Sequence, residues 1–394
     1  MAEPEETVYL VDGSSYIHRA YHAIRNLSNS KGFPTNAAFG FTKMILKLLS
    51  EKDPKYLAIV FDAKGPTFRH KIYEDYKANR PPMPEDMAVQ IPVIKSILDG
   101  FNIKTIEKEG YEADDIIGTL ARVCEEKGFQ VVMVTGDKDF RQLITPRTFM
   151  WDTMKDRVTD YADIRDTYGL EPGKFIDVMG LSGDTSDNIP GVPGVGEKTA
   201  VNLVKEFGSL ENVLQRSEEV KGKKLKENLA SSRDKALLSK KLVTIDRFVP
   251  IEEDPEDLAV GEPDGRKLAD IFREMEFKAL WEQFSSRDVS ASQGYSLCLT
   301  EKQLVSLMGK IKEKGEVSID TETTSRDPLK ADLVGISFCC EEDKAYYLPL
   351  AHQYRGAPQQ LGVQRGLELL REVLEDKNIR KIGQNIKYDA LVFR

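Results

Sequence analysis

The stretch "TVYLVD", residues 7–12, is short, apolar and β-branched, and it closes on Asp12. Two further runs close the same way: "YLAIVFD" (56–62) on Asp62 and "QVVMVTGD" (130–137) on Asp137. Unbroken apolar runs of this length, as opposed to alternating ones, mark strands covered on both faces, as in a parallel sheet. Helical patterns separate them, at "AFGFTKMILKLLSE" (38–51), "MAVQIPVIKSILDG" (87–100) and "DDIIGTLARVCEEKG" (114–128). Strands alternating with helices predict a doubly wound α/β domain. The functional crevice of such a sheet lies beyond the carboxyl ends of its strands.

The three aspartates are therefore expected on one rim. Asp139 in "GDKD" extends the Asp137 end, and "GYEADDIIGTL" (110–120) sets Glu112, Asp114 and Asp115 at a helix start facing the same crevice. A helix N-terminus favours each negative charge by only about 0.3–1 kcal/mol. That is too little to hold six or seven carboxylates together, since crowded carboxylates become hard to ionise. Either these are separate solvated acids, or cations lie between them. An oxygen-rich, imidazole-free set suits Mg²⁺ or Mn²⁺ better than zinc. In a two-metal site one ion acidifies a water and the other steadies the leaving oxygen.

A chain of 394 residues predicts two or three domains, and 40% apolar with 31% charged residues describes a globular protein. No apolar run reaches the roughly 18–20 residues of a spanning helix, and the acidic start "MAEPEETVYLVDG" does not read as a signal peptide. Cys124, Cys298, Cys339 and Cys340 show no CxxC spacing, and the four histidines are scattered. A reduced, cytoplasmic setting is the expectation. The net charge of −9 argues against a nucleic-acid partner unless acids and bases are segregated.

Such segregation is visible. Residues 64–82, "KGPTFRHKIYEDYKANRPP", interleave Lys64, Arg69, Lys71, Lys77 and Arg80 with Phe68, Tyr73 and Tyr76. Cations for phosphates and rings for stacking suit a single strand; a solvated loop is the plainer reading. From 163 to 285 the pattern is helical, with a lysine-rich segment at 221–242 that reads equally as a solvated face. In "GVPGVGEKTAVNLV" (191–204) a Gly-rich turn runs into a helix, so several N–H groups can point at one anion. This looks like a helix–hairpin–helix, which grips a DNA backbone without reading bases; a simple Gly-rich connection is the alternative. It is not a Walker loop, because Glu197 precedes Lys198. "SSRDVSASQG" (285–294) reads as a linker, and short strands reappear after it.

The motifs "LVDGSSYIHRAYHA", "IVFDAKGPTFRH", "YEADD", "TGDKD", "GDTSDNIPGVPGVGEKTA" and "IDTET…GQNIKYD" resemble, in order, those of the bacterial DNA polymerase I family. The resemblance implies a PIN-like (resolvase-like) α/β 5′-nuclease domain over 1–162, with a helical arch at about 64–100. It further implies an all-helical helix–three-turn–helix subdomain over 163–284, the linker 285–294, and an RNase H-like 3′–5′ exonuclease domain over 295–394. Metal-ligand roles, direct or through water, are implied for Asp12, Asp62, Glu112, Asp114, Asp115, Asp137, Asp139, Asp184 and Asp187. Tyr76, Lys77 and Arg80 correspond to arch residues that stack on and neutralise a threaded 5′ strand, and Arg19 and Arg69 to contacts near the scissile phosphate. Gly191, Val192, Gly194, Val195, Gly196, Lys198 and Thr199 would hold the duplex, with K⁺ at the hairpin.

The implied activity is structure-specific 5′–3′ exonuclease or flap endonuclease hydrolysis with two or more Mg²⁺ or Mn²⁺ ions, on 5′-flap, nicked or gapped DNA, in replication and repair. A monomer in the bacterial cytoplasm, at the nucleoid and not at a membrane, is expected, with a polymerase domain on a separate chain as a further partner. Asp320, Glu322, Asn385 and Asp389 match the first two proofreading motifs, but a later Tyr-x-x-x-Asp helix has no counterpart before Arg394. The expectation is an incomplete domain without proofreading activity. Rival readings are a PIN-like ribonuclease, which leaves the hairpin unexplained, and a DNA-binding fragment without chemistry, which leaves the complete set of acids unexplained.

Overall fold

The computed structural model describes residues 6–288, 295–325, 327–341, 344–353 and 358–393. They fall into two compact units, one ending at Ser285 and one beginning at Ser286.

In the first unit, β1 (Thr7–Asp12) leads into α1 (Gly13–Ala23) and α2 (Asn36–Lys52). Next come β2 (Tyr56–Val60), α3 (Phe68–Ile72), α4 (Glu85–Ala88), α5 (Ile91–Gly100), β3 (Lys104–Ile106), α6 (Ala113–Glu126) and β4 (Gln130–Val134). The hairpin of β5 (Thr148–Asp152) and β6 (Arg157–Thr159) follows. The sheet order is β3-β2-β1-β4-β5-β6. Its first five strands are parallel, and β6 is antiparallel because the turn after Asp152 folds it straight back on β5. Val8 and Leu10 face one core with Ile116, Ile117 and Leu120 of α6, while Val11 faces another with Phe41, Ile45 and Ile94. Both faces are covered, which is why the strand sequences do not alternate.

In the 64–100 stretch, expected as a helical arch, helix is confined to α3, α4 and α5. Pro81, Pro82 and Pro84 keep the intervening backbone out of helix, having no N–H to donate and a fixed φ.

The helical layer comprises α7 (Tyr161–Tyr168), α8 (Phe175–Ser182), α9 (Glu197–Phe207), α10 (Leu210–Gln215), α11 (Lys223–Ser231) and α12 (Arg233–Val243). It has its own core around Val178, Leu181, Val204 and Leu229. Helix does not continue unbroken to 285. Residues 245–264, punctuated by Pro250, Pro255 and Pro263, run back along the sheet edge, where Val260 N donates to Lys55 O at 2.9 Å. α13 (Gly265–Glu274) and α14 (Lys278–Asp288) then pack Leu268, Phe272, Leu280 and Phe284 into the core beneath α2 and α5. The α/β and helical layers therefore form one unit. Residues 285–288, expected to open the linker, complete α14, and 289–294 lie outside the described residues.

The second unit contains β7 (Tyr295–Leu297), α15 (Glu301–Lys314), β8 (Glu316–Thr323), β9 (Leu333–Glu341), β10 (Lys344–Pro349), α16 (Val363–Leu374), β11 (Arg380–Ile382) and α17 (Ile386–Val392). Its sheet runs β11-β8-β9-β10-β7 over a core that includes Leu304, Ile336, Phe338 and Leu370. Among the described residues, no helix is long and apolar enough to cross a membrane.

Candidate metal and nucleic-acid site

Each strand-end aspartate accepts a hydrogen bond from the backbone of a following element. Asp12 Oδ1 accepts from Ser15 N at 2.9 Å at the start of α1, Asp62 Oδ1 from Ala113 N at 2.9 Å at the start of α6, and Asp137 Oδ1 from Asp139 N at 3.0 Å. Asp12 and Asp137 are N-caps, each worth roughly 0.5–2 kcal/mol. They do not neutralise the cluster. Burial, together with the charges of Asp62 and Asp137, pushes Asp12 up to about 7 despite its cap and a bond from Thr135 Oγ1. Burial and the charges of Asp137 and Asp184 push Asp139 up to about 7 as well. Asp114 is held well above the carboxylate range by burial and by Asp12, Asp137, Glu112 and Asp62. One negative field thus links Asp12, Asp62, Glu112, Asp114, Asp137, Asp139, Asp184 and Asp187.

Asp115 stands apart from that open cluster. Its oxygens take Arg69 Nη1 and Nη2, both at 2.7 Å, along with Glu112 N at 3.1 Å and Asp246 N at 2.8 Å. It serves as the third residue of a capping box on α6 and as the counter-ion of a buried arginine, leaving no lone pair directed at a metal. Arg69, expected near the scissile phosphate, also donates to Leu242 O at 2.8 Å and Thr244 O at 3.0 Å, inside the protein. Burial disfavours its charge, but the Asp115 bonds and the Asp115 and Glu112 charges raise its pKa above the usual value.

Basic side chains from 73–80 reach into the cluster. Lys77 Nζ lies 2.7 Å from Glu112 Oε1 and 3.7 Å from Asp187 Oδ2, and Arg80 pairs with Asp187. Backbone and amide bonds reinforce this: Lys77 N to Asp187 O at 3.0 Å, Asn79 Nδ2 to Thr185 O at 2.7 Å, and Asn188 Nδ2 to Asp75 O at 2.7 Å. Lys77 adopts a left-handed φ of 57° at the apex. Tyr76, expected as a stacking surface, is only 3% exposed; it packs with Met179, Ile189, Leu242 and Val243, and its hydroxyl donates to Glu112 Oε2 at 3.1 Å. On the far side Lys138 Nζ meets Asp184 Oδ2 at 2.9 Å.

Among the described residues, no three of these acids are gathered into a ready coordination shell. Lys77, Arg80 and Lys138 pair instead with Glu112, Asp187 and Asp184. The donor set nevertheless fits a hard divalent cation. It is all carboxylate, Asp139 Oδ1 is buried without a hydrogen-bond partner, and positive charge among the raised acids would favour their ionised forms.

Arg19 lies across Gly136, where even a Cβ would come within 2.3 Å of its Nη2, and it pairs with Asp152 at 3.5 Å. Its Nη1 is buried without a hydrogen-bond partner. In the hairpin, Val192 and Val195 are buried in the helical core, so only their backbones are available to a ligand. Gly194, Gly196 and Lys198 are exposed, and Thr199 is half-buried. Gly191 N donates to Ser239 Oγ at 3.0 Å, and Asn228 Nδ2 holds Pro193 O at 2.7 Å. Gly196, as N-cap, offers no side chain to the first-turn amides of α9.

In the second unit, Asp320 and Glu322 are exposed on β8, whereas Asp389 is buried, accepting from Thr321 N at 3.1 Å and Thr321 Oγ1 at 2.6 Å. Reading the sequence passed over Lys138, Arg141, Thr135 and Asp152. For Lys138 the signal was its place between two acids of "GDKD"; the others show no pattern of their own.

Comparison with known proteins gives three family matches. Residues 7–169 match the 5′-3′ exonuclease N-terminal resolvase-like domain, 170–266 the 5′-3′ exonuclease C-terminal SAM fold, and 295–394 a 3′-5′ exonuclease domain. A 5′-3′ exonuclease of Aquifex aeolicus is 42% identical over 288 residues, covering 73% of this chain and 98% of that protein. The chain belongs to the 5′-3′ exonuclease family. DNA polymerase I of Pseudomonas aeruginosa is 39% identical over 402 residues, covering 97% of this chain but 44% of the polymerase, so the chain spans less than half of that relative. The catalytic core of Rad2 in complex with DNA substrate shares the fold of the first unit, with a TM-score of 0.53 and 20% identity over 71% of this chain and 91% of that one. T5 5′-exonuclease with bound divalent metal ions (zinc) gives a TM-score of 0.51 at 20% identity, over 72% and 98% of the two chains.

Proposed function

We propose that this chain hydrolyses DNA phosphodiester bonds near 5′ flaps, nicks and gaps, as a divalent-metal-dependent 5′–3′ exonuclease and flap endonuclease acting in replication and repair. The observation carrying this reading is the excess of carboxylate at the strand ends, with Asp12 and Asp139 pushed up to about 7, beside a Gly-rich hairpin that runs into α9, whose first-turn amides have no side-chain cap. Relatives named for the same activity support it.

Asp12, Asp62, Glu112, Asp114, Asp137, Asp139, Asp184 and Asp187 would hold two or more Mg²⁺ or Mn²⁺ ions. Such ions supply a water acidified toward neutrality and neutralise charge on the phosphate. The chain's own groups do the rest. The exposed Gly194 and Gly196 and the first turn of α9 bind backbone phosphates through N–H groups, with Lys198 adding charge and K⁺ able to share the Gly191–Gly196 hairpin. Arg19, which packs its Nη2 against Gly136 and pairs its Nη1 with Asp152, would turn to meet the reacting phosphate. Lys77 and Arg80, released from Glu112 and Asp187, offset charge developing there. Asp115 and Arg69 position α6 and the 68–72 helix instead of touching the substrate. Asp320, Glu322 and Asp389 are assigned no role in this reaction.

The test is a double-flap DNA labelled at its 5′ end, incubated with Mg²⁺ or with EDTA. A short discrete product near the junction, seen only with metal, is the expected result. Binding without cleavage would leave a DNA clamp, and cleavage of unstructured RNA in preference to the flap would favour the ribonuclease.

A further inference from the structure

A small cavity of about 190 Å³ opens between the acidic cluster and the hairpin, lined by Lys138, Arg141, Ser182, Thr185, Gly196 and Glu197. It is smaller than the roughly 300–1,000 Å³ of a small-molecule cleft, so it suits one phosphate and its sugar. At one end Lys138 bonds Asp184 of the cluster, and at the other Arg141 Nη1 lies 3.0 Å from Glu197 Oε1 at the start of α9. Arg141 stands with its guanidinium 5.3 Å from the Tyr168 ring centre and 5.6 Å from that of Phe175, and its side chain is 22% exposed. Two aromatic rings thus fix the arginine at the cavity wall, while its carboxylate partner, 47% exposed, sits on the solvated side of the pair.

We propose that this cavity is a DNA-backbone subsite, in which Arg141, assisted by Lys138, takes a phosphate of the strand running from the acidic cluster to the hairpin. Glu197 is the internal competitor for Arg141 that the phosphate replaces. The inference rests on the DNA-nuclease reading above and adds a residue and a location to it. A planar guanidinium already oriented on aromatic faces loses little freedom on meeting a phosphate. The ion pair it gives up has its carboxylate half exposed to solvent, so little is lost in breaking it.

The experiment measures binding of the full chain to double-flap DNA in EDTA across 50–200 mM salt. The wild type is compared with Arg141→Gln, Arg141→Lys and Glu197→Gln, and each variant is checked for folding by thermal melting. Loss of one phosphate contact lowers the slope of log K against log salt by about 0.9, so the affinity gap between wild type and Arg141→Gln should shrink about 3.5-fold from 50 to 200 mM. Arg141→Lys should keep the wild-type slope. Glu197→Gln should bind more tightly, an effect opposite in sign to that of Arg141→Gln. If Arg141→Gln and Glu197→Gln both weaken binding equally and both lower the melting temperature, the pair is structural and the subsite is overturned. If the wild type binds with a steep salt dependence that no variant changes, the subsite falls and the nuclease reading stands. If the wild type does not bind this DNA at all, both fall.

Discussion

Arg69 and Asp115 face each other through two parallel hydrogen bonds of 2.7 Å, with side chains 3% and 0% exposed. Removing one member of a buried pair leaves an uncompensated charge and costs about 3–5 kcal/mol. Asp115→Asn should therefore lower the urea midpoint strongly in EDTA, whereas Asp137→Asn, at an exposed strand end, should stay within about 0.5 kcal/mol of wild type. Replacing both Arg69 and Asp115 with apolar residues should cost less than the two single changes together. Equal stability of the two asparagine variants would refute the structural role of Asp115.

This pair marks where reading by sequence stops. Asp12, Asp62 and Asp137 were legible because strand ends of a parallel sheet share a rim, a property of topology alone. Asp115 carries the same local signature as Asp114, one position away on the same helix turn. What separates them is Arg69, 46 residues earlier, and the backbone N–H of Asp246, 131 residues later, and neither pairing leaves a trace in local pattern. The same holds for Tyr76: an aromatic among cations reads as a stacking ring until Leu242 and Val243 are seen to bury it. The long-range return of α13 and α14 onto the α/β core was likewise invisible, since amphipathic helices show that they pack but not against what.

Lys77 pairs with Glu112 and Asp187, two of the acids proposed as metal ligands, so divalent ions bound there would compete with the 73–80 segment. Hydrogen exchange of residues 73–84 should be slow in EDTA and accelerate on adding Mn²⁺. Lys77→Met should exchange fast in both conditions. Unchanged protection of the wild type on titrating Mn²⁺, with binding verified by calorimetry, would show that ions and Lys77 do not share these acids.

The raised acids set a pH dependence whose sign can be worked out. Asp12 is pushed to about 7 when folded, above its unfolded value, so the folded chain holds the extra proton between those two values. Its stabilising contribution is present at low pH and is lost as pH rises through 7. In EDTA, Asp12→Asn, which imitates the protonated form, should melt close to wild type near pH 4 and at a progressively higher temperature as pH rises to 8. Thr135 Oγ1 can accept from the new amide where it now donates to Asp12, so the contact between the two side chains is kept. A variant that is less stable than wild type at pH 8 would mean that Asp12 is ionised at little cost.

Gly183 and Gly191 pack backbone against backbone at the base of the hairpin. Both have positive φ, +67° and +59°, and a Cβ on either would come within 2.4 Å of main-chain atoms of the other segment, Ile189 O for the first and Gly183 N for the second. Gly194 also has positive φ, +78°, but its nearest neighbour is Asn228 Nδ2 at 3.6 Å, in open surroundings. Alanine at 194 should cost only about 1–2 kcal/mol of conformational strain and leave flap binding nearly intact. Alanine at 191 must push apart backbone segments joined by the Val192 N to Leu181 O bond of 2.8 Å and the Asp184–Ile189 bridge, where no side chain can yield. Gly191→Ala should therefore lose both several degrees of thermal stability and most flap affinity, while Gly194→Ala loses little of either. Similar losses in the two variants would show that hairpin geometry depends on left-handed backbone alone and not on this close approach.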